Sequence, residues 1–162
     1  MTITIADIDT FLSLPKTIFA APTWVEDGNR AVLRADLVHQ GTVLGGVCVN
    51  LSANIHTVPQ RGDAVLIYDG KAVQRLAFMP KNAHPNPRAH PAPVDLRLRM
   101  LPPDQSRIYR WRDNRAWPPP QQLAGVVIDS QPSGYSEAVD VFLLACGVDG
   151  SVPAPPWRPA LL

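Results

Sequence analysis

The sequence predicts an α+β fold: one curved, mostly antiparallel sheet of about six strands, with a C-terminal helix packed on one face and a short N-terminal helix. Three observations carry this. Apolar and polar residues alternate in several short runs joined by hairpin signals. One continuous apolar stripe at helical spacing stands near the C-terminus. The strand-like runs do not alternate with helical ones, which disfavours a parallel, doubly wound sheet. A small, partly closed barrel plugged by the same helix is the alternative.

Residues 1–15 read as the short helix. Thr4 is a capping residue with Asp7 three positions on, and Ile5, Ile8, Phe11 and Leu12 recur at helical spacing until Pro15 stops the run. Residues 17–130 read as the sheet. From Arg30 to Val38, Ala31, Leu33, Ala35 and Leu37 mark one face, with Arg34 and Asp36 on the other. Val43 to Leu51 is its hairpin partner, and Gly45-Gly46 inside it suggests a bulge or a close backbone approach. Ala64 to Tyr68 and Val73 to Met79 flank the turn signal Asp69-Gly70.

A proline-rich stretch follows and cannot pair as a central strand. Val94 to Met100 alternates cleanly, Ser106 to Arg112 is a further strand candidate, and Leu123 to Ile128 is a short one. Residues 133–147 read as the clearest helix. Tyr135, Ala138, Val139, Phe142, Leu143 and Cys146 form its stripe, Ser133 or Ser136 is placed to cap it, and Gly147 to end it. Residues 148–162 form a proline-rich tail whose segment SVPAPPWRPALL, residues 151–162, is too rich in proline to be regular, and residues 1–162 together make a single domain.

Composition bounds the function. The chain is 46% hydrophobic, enough to build a core. Its 15 basic and 14 acidic residues nearly cancel, which excludes a histone-like protein. No run of 18 apolar residues is present and the first residues lack a basic, then apolar leader, so neither a membrane span nor a secretory signal is expected. Cys48 and Cys146 lie in apolar surroundings without metal-type spacing, and they read as buried free thiols in a reducing cytoplasm. The histidines at 39, 56, 84 and 90 give no zinc signature, and no phosphate-loop, dinucleotide or serine-hydrolase motif is present. No metal and no cofactor is expected.

Charge is uneven along the chain. Between Arg88 and Arg115 there are seven arginines and three aspartates, a local balance of +4. Within that stretch, a strand from Arg107 would carry Arg107, Tyr109 and Trp111 on one face, with Arg110 and Arg112 opposite and Arg115 close by. Guanidinium groups interleaved with aromatics suit phosphate pairing and base stacking. Just upstream, His84-Pro85-Asn86-Pro87, with His90 nearby, forms a stiff loop presenting imidazoles that titrate near neutral pH. The plain alternative is a turn in which Asn86 caps backbone groups and His84 is only solvated.

These residues resemble an uncharacterised family of small bacterial and phage proteins. That family has a Leu-Pro-Lys step after a short helix, an H-x-N-P loop, an H-x-H-x-Y strand, a W-A-x-P step and a C-terminal helix. The counterparts here are Leu14-Pro15-Lys16, His84-Pro85-Asn86-Pro87, Arg107-Ile108-Tyr109, Trp117-Pro118 and Phe142 to Cys146. The two histidines before the tyrosine are replaced by Gln105 and Arg107. The resemblance implies a fold and a bacterial, phage or mobile-element setting.

Two functions are expected in turn. The first is a cytoplasmic accessory protein whose Arg/aromatic face binds RNA, DNA or an acidic protein surface through Arg107, Tyr109, Arg110, Trp111, Arg112 and Arg115. The alternative is a metal-independent ribonuclease, for example the toxin of a toxin–antitoxin pair, with His84 or His90 as the base.

Overall fold

The computed structural model describes residues 2–87 and 99–159. Helix α1 (Ile5–Ser13) leads into two short strands, β1 (Lys16–Ile18) and β2 (Val25–Asp27). Four long strands follow as a meander: β3 (Arg30–His39), β4 (Thr42–Asn54), β5 (Arg61–Tyr68) and β6 (Lys71–Phe78). Then come β7 (His84–Pro85), β8 (Met100–Leu101), β9 (Arg107–Tyr109) and β10 (Val126–Val127). Helix α2 (Tyr135–Ala145) and β11 (Val148–Asp149) close the chain.

The main sheet has nine strands among the described residues, in the order β10-β9-β6-β5-β4-β3-β1-β11, with β2 sharing the free edge of β3. All pairs are antiparallel except β1 with β11. The α+β class and the antiparallel sheet agree with the sequence; the number of strands does not. The strands not expected, β1, β2 and β11, are two or three residues long, too short for a period of two to show in sequence. β7 and β8 form a separate two-stranded ladder.

Alternation decides the faces of the sheet. Ala31, Leu33, Ala35 and Leu37 of β3 are all buried, as are Val47, Val49, Leu51 and Ala53 of β4. All of these but Ala31 join Ile8 and Phe11 of α1 and Tyr135, Ala138, Val139, Phe142 and Leu143 of α2 in one apolar cluster. The residues between them on β3, from Arg30 through Val32 to Arg34, point to the opposite side. The sheet therefore has a helix-covered face and an open one.

Local chemistry explains the turns. Thr4 and Asp7 form a capping box at the start of α1. Opposite Leu37 the register slips so that four residues, Leu44 to Val47, sit between the pairs Val38–Val43 and Asp36–Cys48. Gly46, at φ +72°, takes the left-handed turn of this bulge, and its carbonyl accepts the Asp69 N–H at 2.8 Å. Lys16 is buried, and its ammonium donates to the carbonyls of Phe11 (2.7 Å) and Leu14 (2.6 Å). It thereby caps the C-terminus of α1, which gives the Leu-Pro-Lys step a structural role.

Two expectations are corrected. Helix α2 has Gly134 at its N-cap, without a side-chain cap; Ser133 precedes it and is bound by Glu137 instead. Residues 151–159 hold no regular element, as expected; before them Val148 and Asp149 pair with β1, and Trp157 stacks edge-on against Tyr135 at 6.0 Å. The strand expected from Ser106 to Arg112 covers only Arg107–Tyr109 and gives way to a 3-10 turn at Trp111–Asp113. Residues 94–98 of the expected Val94–Met100 strand lie outside the described residues, and Met100 opens β8. Both cysteines are buried and free. Burial pushes the Cys146 thiol up to about 12. No helix among the described residues is long and apolar enough to cross a membrane.

Candidate functional site

Of the interleaved face expected from Arg107 to Arg115, Arg107, Tyr109 and Trp111 are buried, whereas Arg112 and Arg115 are exposed. Tyr109 and Trp111 are each 3% exposed and Arg107 is 6% exposed. The 3-10 turn breaks the strand period after Tyr109 and sends Trp111 inward. There its backbone N–H meets Gln74 and its indole N–H meets Asp9 at 2.7 Å. Arg110 pairs with Asp113 at 2.6 Å, and Arg115 forks onto Asp9, its shortest contact being 2.5 Å. Arg115 and the Trp111 indole hold the Asp9 carboxyl at about 2, well below its usual value. Of these arginines, Arg112 is exposed without an ion pair among the described residues.

The histidine loop takes the structural role. Asn86 donates to the Gly125 carbonyl and accepts the Gly125 N–H, both at 2.9 Å. Asn114 does the same for Ala124, donating at 2.8 Å and accepting at 2.6 Å. Two buried carboxamides thus supply the pairing that Pro118 to Pro120 cannot give the adjoining segment. Gly125 is required here, since a Cβ would sit 2.8 Å from the Tyr109 ring. His84 donates from Nε2 to the Leu123 carbonyl at 3.0 Å and packs edge-on against Tyr109 at 5.2 Å. Burial pulls its pKa below the usual histidine range. His90 lies outside the described residues. His39 and His56 bind the Pro15 and Arg158 carbonyls, each at 2.7 Å, as loop anchors.

The open face of the sheet holds what the segment around Arg110 does not. Register sets Arg34, Asn50, Val65, Arg75 and Tyr109 side by side across β3, β4, β5, β6 and β9. Four strand spacings make this row about 19 Å long. A second row runs Val32, Ser52, Asp63, Ala77, Arg107, and a third Arg30, Asn54, Arg61.

Three depressions join along these rows. A cleft of about 650 Å³ is walled by His84, Tyr109 and the segment 119–123. It shares Arg30, Ser52, Asp63 and Val65 with a second depression that extends over Arg34. It shares Asp63 and Arg75 with a third that reaches Arg61, Lys81 and Arg107. Together they are lined by Arg30, Arg34, Arg61, Lys71, Arg75, Lys81 and Arg107, against the single carboxylate of Asp63.

Sequence reasoning missed most of this set. Arg34 was legible as an outward position of β3, but apart from Arg30 on the same strand its partners come from three other strands and a turn. The helix layer is the electrical opposite. α1 and α2 carry Asp7, Asp9, Glu137 and Asp140 and neither lysine nor arginine. No group of histidine, cysteine, aspartate and glutamate able to hold a metal ion stands together among the described residues. In comparison with known proteins, the chain matches no family, no curated protein and no solved structure.

Proposed function

We propose that this protein is a non-catalytic nucleic-acid-binding module that lays a phosphate backbone across the open face of its sheet. In the bacterial, phage or mobile-element setting suggested above, it would serve as an accessory protein. The observation that carries this is the groove of adjoining depressions lined by seven cationic side chains and the Asp63 carboxylate, a surplus of cations that remains after Asp36 and Asp104 at its margins pair with Arg34 and Arg61. Of the aromatic rings that line it, Tyr109 and Phe78 are buried and His84 is half-buried, so base stacking contributes little and sequence discrimination is weak. The acidic helix layer repels the same ligand and favours approach by the sheet face.

A second reading rests on His84, which lines the groove. Its Nε2–H is held by Leu123 and its depressed pKa keeps it neutral, leaving Nδ1 as a proton acceptor. In RNA transesterification that nitrogen would take the 2′-hydroxyl proton as the oxygen attacks phosphorus. The leaving 5′-oxygen needs a proton from a second acid, for which the groove offers no second imidazole among the described residues. Binding is therefore the better-supported function.

One experiment separates the two. RNA is incubated with wild type and with His84→Ala in EDTA at low salt, and both retention and strand length are followed. The binding reading expects retention that weakens with salt and strands that stay intact. Cleavage by wild type, slowed about 10²–10⁴-fold in His84→Ala, would replace it with the catalytic reading. Retention of polyglutamate in preference to RNA would move the function to acidic proteins.

A further inference from the structure

One end of the groove is built differently from the rest. The depression of about 250 Å³ between β5, β6 and the turn Pro80 to Asn82 brings together Arg61, Arg75, Lys81 and Arg107. Arg107 is 6% exposed, yet no carboxylate pairs with it among the described residues. Its guanidinium is held only by neutral acceptors: the Tyr109 hydroxyl at 2.8 Å, the Asn82 carbonyl at 3.1 Å and the Pro102 carbonyl at 3.5 Å. A buried cation ordinarily has a counter-charge, because desolvation penalises an isolated one.

The nearby carboxylates are already engaged. Asp63 pairs with Arg75 at 2.9 Å and Asp104 with Arg61 at 2.8 Å. Four cations less these two anions leave a local charge of +2. A phosphomonoester carries about −1.5 to −2 near neutral pH and presents three acceptor oxygens, which matches that surplus in sign and size.

We propose that this pocket is a phosphomonoester site that takes a terminal phosphoryl group, with Arg107 at its base and Lys81 at its rim. A bridging phosphodiester carries a single charge and continues in both directions along the face. A terminal phosphoryl group can enter end-on and reach the buried guanidinium. The proposal rests on the groove being a phosphate-binding surface. It adds that a strand is held by its end, so the protein would recognise a phosphorylated terminus rather than the strand interior. The same chemistry is offered by a free phosphate or a small phosphoester, and the experiment distinguishes these sources.

Thermal unfolding is measured with inorganic phosphate against chloride at equal ionic strength, for wild type, Lys81→Gln and Arg107→Gln. Phosphate is expected to raise the wild-type midpoint beyond chloride, and both variants to lose that rise. Lys81 is exposed, so its variant keeps the test valid if Arg107→Gln folds poorly. Binding is then compared for oligonucleotides of one sequence bearing a 5′-phosphate, a 3′-phosphate or only hydroxyl ends. One phosphorylated end is expected to bind about tenfold more tightly, the effect of one strong charge-assisted contact, and Lys81→Gln to erase that gain. No phosphate-specific rise in wild type overturns the proposal, even if every oligonucleotide binds. A rise without retention of any oligonucleotide keeps the pocket, assigns it to a free phosphate or small phosphoester, and defeats the groove reading. A rise with equal affinity for all three ends overturns the terminal specificity.

Discussion

Phe142→Ala is expected to destabilise the fold by about 3–5 kcal/mol, the range for truncating a fully buried phenylalanine. Phe142 is 0% exposed and lies on the α2 stripe with Tyr135, Ala138, Val139 and Leu143. That stripe belongs to the same cluster as Leu66 and Leu76, so the cavity would open where helix and sheet meet. Tyr135 anchors the far end of the helix by donating to the Asp63 carbonyl at 2.8 Å, which limits how far α2 can collapse into the gap. Urea unfolding should show a lower midpoint at unchanged slope, since the surface exposed on unfolding is nearly the same. A loss below about 1 kcal/mol would mean that the site relaxes fully, and α2 would not be the organising element of the core.

The triple variant Arg30→Gln, Arg34→Gln, Lys71→Gln is expected to weaken nucleic-acid binding about 10²-fold at low salt. This assumes about 1 kcal/mol for each exposed cation, with tenfold per 1.4 kcal/mol. The slope of log affinity against log salt should flatten by about 2–3, because each lost phosphate contact removes about 0.7–0.9. All three residues are exposed, and among the described residues only Arg34 of the three makes an ion pair, with Asp36 at 3.2 Å. The thermal midpoint should therefore hardly move. Reduced stability with an unchanged salt slope would assign these side chains to the fold rather than to a ligand.

The fold was legible where the sequence holds a period long enough to be seen. Ten residues of β3 and eleven of α2 each repeat their pattern several times. The Asp69-Gly70 turn and the bulge at Gly46 were legible because each depends on local backbone conformation. β1 and β11 were not. They are parallel strands at opposite ends of the chain, and their pairing, Lys16 with Val148, depends on tertiary contacts that no local pattern encodes.

The site was less legible, for a related reason. The Arg107 to Trp111 alternation continued in sequence but stopped in space. Gln74 captures the Trp111 N–H and Asp9 captures its indole, from 37 and 102 residues away. Arg115 looked like a free cation until α1 placed Asp9 beside it. Of the groove cations, the sequence singled out only Arg34, as an outward position of β3, and Arg107, in the Arg/aromatic segment. The union of all seven follows from strand order, and the exposure of Arg30, Arg34, Lys71 and Arg75 follows from both helices lying on the other face.

The most direct test is to map the contact surface by amide chemical shifts during titration with a short single-stranded oligonucleotide at low salt. The account predicts perturbations at Arg30, Arg34, Asn50, Ser52, Val65 and Arg75, extending to Arg107, while Glu137, Asp140 and Leu144 on the outer side of α2 stay unmoved. Perturbations confined to Arg110, Arg112 and Arg115, or spread over the helix layer, would contradict it.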